Sequence, residues 1–400
     1  MRSISDANIL ALTSELFSKT SIIKLPEGTK YGFQDTLNVI LHAATSTANS
    51  IESASDDLKR KNPEMKILSA DSIHDYINSN SIDYIMSSFR QINAEIIEMS
   101  RLKGTTQDIA IDFHDIPYYG EKNTPGVRGI KPKNGTSWGY SFCTLDIIGE
   151  TKLTLDVIDI KGLAKNYAVF IESMVQRINS MGVSVKTLFM DAEFFNFSTI
   201  STLHRLNIQY IIAASSNKRI NRMLNEHKKK FGSASTILNY QFEKGGPEFK
   251  IVAILNPRYD PKAKKEKGNS EYFLFATNLA VNSTSEFIKI IPEEYKKRWN
   301  IETGYKIKNI FKIRTCSKSP VVRTLFFLIQ CLLYNVLNLL KSVIEIDAYK
   351  LKSAISDAIV TFIKEKYKYL CTIPIKMFME LLRKYNEDRI QTLRNRLRSF

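Results

Sequence analysis

The order of short apolar runs and amphipathic stretches between residues 105 and 215 limits this chain to few folds. β-branched content and alternation predict strands, and apolar residues at three- and four-residue steps predict helices. The predicted elements are, in order, strands at 109–116, 137–148 and 152–160, a helix at 163–181, a strand at 185–191, a helix around 196–206 and a strand at 209–215. Three antiparallel strands that lead into αβ crossovers predict a mixed sheet.

This order is that of an RNase H-like domain, so the predicted fold class is α/β with an RNase H-like mixed-sheet core, an inserted β subdomain and flanking helical regions. After the core strands, a basic helix and three strand-like segments predict the insertion, and a polar helix over 292–315 returns the chain to the core. The predicted regions are a helical N-terminal part at 1–104, the first part of the core at 105–215, the β-rich insertion at 216–290, the second part of the core at 291–345 and a basic helical C-terminal part at 346–400.

The charge of the chain indicates a polyanionic partner. The formal net charge is +16 and the isoelectric point is about 9.4, which is typical of proteins that bind nucleic acid. Residues 1–100 hold nine Lys and Arg against thirteen Asp and Glu, so the other 300 residues hold 48 against 28. We therefore expect the polyanion to contact the last three quarters of the chain.

Several functional classes are disfavoured. The four cysteines form no Cys-x-x-Cys pair, so neither a zinc knuckle nor a disulfide framework is indicated and a reducing compartment fits. No phosphate-binding loop or Gly-x-Ser-x-Gly elbow is present. The N-terminus has acidic residues and no sustained apolar core, unlike a signal peptide. The sixteen-residue apolar run 325–340 includes Gln330, Asn335 and Asn338, which favours a buried core helix over a membrane span.

Two aspartates occupy unusual positions in apolar strands. Asp112 lies within IAIDFHDI, and Asp191 follows the apolar run LFM. Buried carboxylates are costly unless they are paired or bind a metal, so two of them at the ends of separate buried strands suggest a shared cation. Asp115 is an alternative first acid, but strand alternation puts Asp112 and His114 on one face and Asp115 on the other. We favour Asp112 because it directly follows the apolar IAI, and we expect Glu193 to lie beside the site or on the surface.

A third acid lies on a polar helix face. Tyr295, Arg298, Glu302, Lys306 and Asn309 are spaced by three, four, four and three residues, which places them on one side of a helix. Such a face is either a solvated surface with local ion pairs or part of a site, and the helix alone does not decide between the two.

Together these segments resemble the DDE transposases of prokaryotic insertion sequences, in the branch whose third acid lies in a Tyr-x2-Arg-x3-Glu-x6-Lys signature. IAIDFHD, FMDAEFFN and YKKRWNIETGY resemble the segments around the three acids, over residues 105–345. The resemblance implies that Asp112, Asp191 and Glu302 are the catalytic, metal-binding acids. The chain departs from the signature at Asn309, where the family has lysine; Lys306 and Lys308 are near it.

The resemblance also implies a reaction and its partners. The expected activity is metal-dependent cleavage of DNA at element ends and transfer of the 3′-OH to target DNA, with Mg²⁺ or Mn²⁺ as a pair of ions. The expected partners are double-stranded DNA and a second copy of the chain, with no membrane, in the cytoplasm of a prokaryote. The alternatives are an RNase H-like nuclease or resolvase without strand transfer, and a non-catalytic DNA-binding protein.

Individual residues are assigned to DNA on the same basis. Tyr295, Arg298, Lys306 and Lys308 would contact DNA near the cut, with Tyr295 stacking on a displaced base. The basic segments 228–230, 262–267 and 389–398 would add affinity that does not depend on DNA sequence. The acidic balance of the N-terminal helices favours a limited contact with element ends or a role in dimerisation.

Overall fold

The structure, a computed structural model, describes residues 5–160, 167–262, 270–280, 283–365, 379–380 and 383–384. Its helices are α1 (Asp6–Ser18), α2 (Phe33–Thr45), α3 (Ile51–Lys61), α4 (Ala70–Asn78), α5 (Ile82–Met99), α6 (Tyr167–Ser180), α7 (Phe197–Arg205), α8 (Lys218–Phe231), α9 (Thr284–Lys296), α10 (Trp299–Lys308), α11 (Pro320–Lys341) and α12 (Ala348–Lys364). Its strands are β1 (Thr105–Pro117), β2 (Arg128–Lys133), β3 (Thr136–Ile147), β4 (Thr154–Ile160), β5 (Val183–Met190), β6 (Gln209–Ala213), β7 (Thr236–Tyr240), β8 (Phe249–Leu255) and β9 (Tyr272–Thr277).

All nine strands form one mixed sheet, in the order β2-β3-β1-β5-β6-β9-β8-β7, with β4 also paired to β3. Strand β1 is antiparallel to β3 and parallel to β5, and β5 is parallel to β6. The helices α6 and α7 connect β4 to β5 and β5 to β6. The predicted mixed sheet, with antiparallel strands leading into αβ crossovers, is confirmed.

The β-rich segment after residue 216 extends this sheet. Strand β9 pairs antiparallel with β6, so that Ile211 lies opposite Thr277, and β8 and β7 follow outward. This pairing covers the edge of β6, whose backbone groups would otherwise be unpaired. The predicted insertion is therefore present as strands, but it continues the core sheet and has no sheet of its own.

The central strand β1 is buried on both faces. Ile109, Ala110 and Ile111 are completely buried, as expected for a strand with helices on both sides of the sheet. Ala110 packs with Ile291 and Ile301, which belong to α9 and α10, whereas its two neighbours belong to the other apolar cluster. Because side chains alternate along a strand, the even-numbered residues of β1 face α9 and α10.

The N-terminal helices share a core with the sheet. Helices α1 and α2 pack on α12, and α5 packs on α11 and β4. Asp156 of β4 is fully buried and accepts hydrogen bonds from the Nε of Arg90, at 3.0 Å, and of Arg177, at 2.7 Å. The helical prediction for residues 1–104 is confirmed for the described residues, and these helices pack directly against the core.

Helix α11 is the apolar segment that was predicted to be buried. Ser319 caps its first turn and Pro320 occupies the first position, where a missing N–H is harmless. Within the described residues it is the one helix long and apolar enough to cross a membrane, yet 89% of its most apolar stretch is buried inside the protein. Asn335, on this helix, accepts a hydrogen bond from the backbone N–H of Thr154 at 2.8 Å.

The predicted helix over 292–315 is two helices. Helix α9 begins earlier, at Thr284, and α10 ends at Lys308, followed by a short 3-10 turn over Asn309–Phe311. Between them the N–H of Asn300 bonds to the carbonyl of Lys297, a three-residue step that tightens the turn. In the C-terminal part, α12 fits the helical prediction; the basic segment 389–398 and most of 262–267 lie outside the described residues.

Candidate active site

Asp112 lies in the middle of β1 and points toward α10. Its side chain is 16% exposed, and Oδ1 accepts a hydrogen bond from the backbone N–H of Phe113 at 2.9 Å. Burial raises the pKa of Asp112 to about 7; the nearby Arg298 opposes this rise, and the charges of Asp191 and Glu302 add to it. The ionised carboxylate is therefore costly here unless more positive charge is supplied.

Asp191 lies beside Asp112 on the neighbouring strand. In the parallel register of β1 and β5, Ile111 is opposite Met190, so the next residue on each strand is an aspartate. Adjacent strands lie about 4.8 Å apart, so the backbones of the two aspartates lie side by side where β5 ends, and the charge of Asp191 helps to raise the pKa of Asp112. Asp191 also caps the short helix that follows, because its Oδ1 accepts a hydrogen bond from the N–H of Glu193 at 2.8 Å.

Arg298 joins the first and third acids. Its Nη2 donates to Glu302 at 2.7 Å, and its Nη1 lies 3.4 Å from Asp112 Oδ2. The arginine is 9% exposed, whereas the side chain of Glu302, in the first turn of α10, is 43% exposed. The buried guanidinium thus provides positive charge for two carboxylates, and α10 holds it in place.

Two tyrosines fix the surrounding backbone. The hydroxyl of Tyr295 donates to the carbonyl of Met190 at 3.1 Å, and its ring packs on Phe275. The hydroxyl of Tyr305 donates to the carbonyl of Asp112 at 3.3 Å. Burial raises the pKa of Tyr295 to about 12, so this hydroxyl stays protonated. Tyr295 therefore holds α9 to the end of β5, and its stacking on a displaced base stays a prediction.

The two lysines of α10 differ in position. Lys306 is exposed, as a contact with DNA requires. Lys308 is 1% exposed, and its Nζ pairs with Asp146 Oδ1 at 2.6 Å. The rings of Tyr305 and Tyr334 pack against the same ammonium group. The predicted contact of Lys308 with DNA is wrong, because the buried side chain is instead the counter-ion of Asp146 inside the protein.

The structure also distinguishes Asp112 from Asp115. The carboxylate of Asp115 accepts a hydrogen bond from the Ser141 hydroxyl, and the Asp115 backbone carbonyl accepts one from Lys133 at 3.0 Å. Among the described residues, the ion pairs of Arg298 are with Asp112 and Glu302 and not with Asp115. The two acids thus have separate partners, as strand alternation predicts, and Asp112 as the first catalytic acid stays a prediction.

Sequence reasoning missed a cluster beside Asp191. Glu193 accepts hydrogen bonds from Lys131 at 2.9 Å and from the Tyr167 hydroxyl at 2.8 Å. The pKa of Lys131 is raised, mainly by Glu193 and further by the charges of Asp191 and Asp112. Lys131 lies on β2, within a segment (119–135) that is rich in Gly, Pro and Lys and that gave the sequence signal for a cation near the site.

The donor atoms suit a hard divalent cation, since the three acids supply only carboxylate oxygens. A cation would also favour the ionised form of Asp112, which burial disfavours. Glu302, however, is turned onto Arg298, and within the described ranges no group of three or more His, Cys, Asp and Glu side chains is close enough to hold a metal ion. The three acids are chemically suited to bind a metal ion, but the side chain of Glu302 is paired with the guanidinium of Arg298 instead.

Comparisons with known proteins agree with this geometry. The family model described as the transposase DDE domain matches residues 103–336, more than half of the chain. No curated protein sequence matches the chain. Among solved structures, the piggyBac transposase in a synaptic complex with hairpin DNA is similar in fold, with a TM-score of 0.56 and 11% identity over 94% of this chain and 81% of that one. The core is RNase H-like, as in that transposase, and the chain belongs to the family of proteins with a DDE transposase domain.

Proposed function

We propose that this chain cuts DNA at the ends of a mobile element and joins the freed 3′-OH to target DNA, as insertion-sequence transposases of the Tyr-Arg-Glu branch do. The observation that carries the proposal is that Asp112 of β1 and Asp191, directly after the neighbouring β5, are adjacent along the sheet, while Arg298 contacts both Asp112 and Glu302 of α10. Tyr295, Arg298 and Glu302 keep the spacing of the signature, and the family match covers all three acids.

The three carboxylates would hold Mg²⁺ or Mn²⁺, as two ions. When bound, such ions activate the attacking oxygen and stabilise the leaving oxygen of a phosphodiester. Asp112 must be ionised to bind a cation, so occupancy falls as the pH drops below about 7, its pKa in the folded protein. Glu302 leaves its contact with Arg298 to complete the site.

The chain's own residues position the reacting groups. Tyr305 and Tyr295 hold the backbone at Asp112 and at the residue before Asp191, so the two aspartates stay fixed. Arg298, once released by Glu302, contacts a phosphate near the cut. Lys306 and Lys131 are exposed cations that contact neighbouring phosphates. These contacts position the DNA strand, which is the larger part of catalysis in phosphoryl transfer.

The proposed partners follow from the reaction. Double-stranded DNA is the substrate at both the element end and the target, and a synaptic complex that joins two ends uses two copies of the chain. The net charge of +16 supports DNA binding. The relative in the structural comparison was solved in a synaptic complex with hairpin DNA. We place the protein in the cytoplasm of a prokaryote, at its nucleoid.

The test uses labelled duplexes that carry the DNA flanking the gene, with Mg²⁺ and a supercoiled target plasmid. Wild-type protein is expected to cut at the element end and to yield joined product. Asp112→Asn and Glu302→Gln should each reduce cutting by about 10³-fold or more, while Asp115→Asn, the matched control on the same strand, should cut normally.

Three results would contradict parts of the proposal. Cutting without joined product would indicate a nuclease or resolvase. If Asp112→Asn and Glu302→Gln cut DNA as fast as the wild-type protein does, the assignment of these residues as catalytic would be wrong. Binding without any cutting by the wild-type protein would indicate a DNA-binding protein derived from a transposase.

A further inference from the structure

A chain of buried polar side chains connects α10 with the backbone of Asp112. It begins at Lys308, whose Nζ pairs with Oδ1 of Asp146 at 2.6 Å. The other oxygen of that carboxylate, Oδ2, accepts a hydrogen bond from the hydroxyl of Thr144 at 2.5 Å. The Thr144 hydroxyl is 2.6 Å from the hydroxyl of Tyr305, which in turn is 3.3 Å from the carbonyl oxygen of Asp112. We refer to Lys308, Asp146, Thr144 and Tyr305 as the α10 network.

The strand register places this network beside the first acid. Thr144 lies directly opposite Asp112 in the antiparallel pairing of β1 and β3. Directly opposed residues of such a pair have their side chains on the same face of the sheet, with Cβ atoms about 4.5–5.5 Å apart. Asp146 is two residues further along β3, so its side chain is on that face as well. The network therefore occupies the face of the sheet that carries Asp112 and that α10 covers.

The direction of each hydrogen bond follows from the protons available. Paired with Lys308, the carboxylate of Asp146 only accepts, and it also receives the hydroxyl of Thr154 at 2.6 Å. A hydroxyl has one proton, so Thr144, which donates to Asp146, has to accept from Tyr305. Burial raises the pKa of Tyr305, so its hydroxyl keeps the proton that this bond needs. That proton is shared between Thr144 and the backbone carbonyl of the first acid.

Burial makes the network rigid. Thr144 is completely buried, Asp146 is 3% exposed and Tyr305 is 8% exposed. Hydrogen bonds to a charged group are stronger than neutral ones, and they gain further strength away from water. The ring of Tyr305 is also held, by the His114 ring at 4.5 Å and by the Lys308 ammonium group at 4.7 Å. The hydroxyl of Tyr305 is therefore fixed in direction and in position.

The network ties the helix of the third acid to the strand of the first. Tyr305 lies about one turn after Glu302 on α10, and Lys308 lies about one turn after Tyr305. Their bonds to β1 and β3 fix the height and the rotation of α10 relative to the sheet. They therefore fix the place from which Glu302 faces the site. A displacement of about 1 Å at a reacting group can cost about a hundredfold in rate.

We propose that the α10 network positions the first and third acids for a shared divalent cation. Tyr305 makes the contact with the backbone of Asp112, and the charge of the buried pair acts on the site through Thr144. This inference rests on the proposed function for what the acids do. It assigns Lys308 a part in the reaction, although its ammonium group is buried and pairs with Asp146.

The first experiment measures Mn²⁺ binding to the full chain without DNA, by the electron paramagnetic resonance signal of the free ion. Tyr305→Phe removes one hydroxyl and keeps the ring. Thr144→Val separates Tyr305 from the charge of Asp146 and leaves that charge in place. Both variants should raise the Kd for Mn²⁺ about tenfold, as the loss of a group that orients metal ligands does. Mn²⁺ that Asp112→Asn still binds is not at the first acid and is subtracted.

Two control variants distinguish positioning from folding. Thr144→Ser keeps a hydroxyl at the same place and should bind Mn²⁺ as the wild type does. Tyr334→Phe also removes a buried hydroxyl, from the other ring that packs against Lys308, and should leave the Kd for Mn²⁺ unchanged. Thermal unfolding shows how far each change lowers Tm. A role in folding alone predicts that the affinity for Mn²⁺ follows Tm across the whole set of variants.

The second experiment measures DNA cutting as a function of Mg²⁺ concentration. Tyr305→Phe and Thr144→Val should cut about tenfold more slowly than the wild type at saturating Mg²⁺. Their affinity for the same duplex in EDTA should be unchanged, because the network is buried. Thr144→Ser and Tyr334→Phe should cut at the wild-type rate.

Three results would overturn the inference. The first is a Tyr305→Phe variant that binds Mn²⁺ and cuts DNA like the wild type. The second is an effect of Tyr334→Phe as large as that of Tyr305→Phe, since the loss of any buried hydroxyl would then be enough. The third is unchanged Mn²⁺ binding and cutting in Thr144→Val, since Tyr305 would then act without Asp146. If the variants weaken Mn²⁺ binding as expected but the wild type cuts no DNA, the proposed function fails instead, and the network still positions the acids.

Discussion

Replacing Asp112 with asparagine should stabilise the metal-free protein at alkaline pH while it abolishes DNA cutting. The carboxylate is mostly buried, and among the described residues the one cation at ion-pair distance from it is Arg298, 3.4 Å away, which is shared with Glu302. Asparagine has the same shape and removes the charge. The same change is thus expected to raise stability and remove activity, because the carboxylate suits a bound cation rather than the metal-free fold.

The size of the effect follows from the pKa. In the folded protein the pKa of Asp112 rises from 3.8 to about 7, and each pKa unit corresponds to about 1.36 kcal/mol. Between these two pH values the native state holds a proton that the unfolded state has lost, so stability falls as the pH rises. The penalty reaches about 4 kcal/mol above pH 7 and is about 1.6 kcal/mol at pH 5. At about 2.1 cal/mol/K of unfolding entropy per residue, 4 kcal/mol raises Tm by about 5 °C.

The assay is thermal unfolding in EDTA at pH 5 and pH 8. Asp112→Asn should gain about 5 °C at pH 8 and less than half of that at pH 5. Asp115→Asn is the control on the same strand: its amide oxygen can still accept the hydrogen bond from Ser141, so its Tm should change little, and equally, at both pH values. Added Mg²⁺ should stabilise the wild type at pH 8 and leave Asp112→Asn unchanged. If the Tm of Asp112→Asn does not rise above that of the wild type at pH 8, or rises equally at pH 5 and pH 8, the reasoning is refuted.

Three further predictions concern the cations around the site. Arg298→Ala leaves a buried carboxylate without its partner and should cost about 3–5 kcal/mol at pH 8 and less at pH 5, where Asp112 is largely protonated; urea unfolding at both values checks this. Lys308→Met breaks the buried pair with Asp146 and should lower the free energy of unfolding by about 3–5 kcal/mol. The salt dependence of DNA binding should not change. A smaller slope of log K against log salt concentration would show that Lys308 contacts DNA. Lys306→Ala should keep stability and reduce that slope by about 0.9, as measured by anisotropy over a salt series.

The strands β1, β3, β4, β5 and β6 could be predicted because their signals are local, whereas β2 lies in the Gly-, Pro- and Lys-rich segment 119–135, where a loop and no strand was predicted. Alternation and apolar runs mark each strand where it stands, and the run LFM before Asp191 shows where β5 ends. The pairing of β9 with β6 could not be predicted, because Tyr272–Thr277 has the pattern of any buried strand and carries no record of its neighbour. Local pattern thus fixes the elements, whereas the extension of the sheet depends on contacts between distant residues.

The site shows the same division. Strand alternation correctly separated Asp112 from Asp115, since it depends only on a period of two. The burial of Lys308 could not be read from α10, because its partner Asp146 lies 162 residues away. One signal was available: Asp146 is an acid within the apolar strand SFCTLDII, the same anomaly that drew attention to Asp112. A buried acid in a strand predicts a cationic partner, and at Asp146 that partner is a lysine.

The buried ion pair network at Asp156 constrains how this chain can change over evolutionary time. Arg90 comes from an N-terminal helix and Arg177 from the helix before β5, and both bind one carboxylate in the sheet. A recombination event near residue 104 would replace Arg90, and the buried Asp156 would lose one of its two arginine partners. An event near residue 216 or 290 would separate strands that belong to a single sheet. Such hybrids should fold poorly, so new DNA preferences are expected to arise by point substitution within the intact chain rather than by exchange of segments.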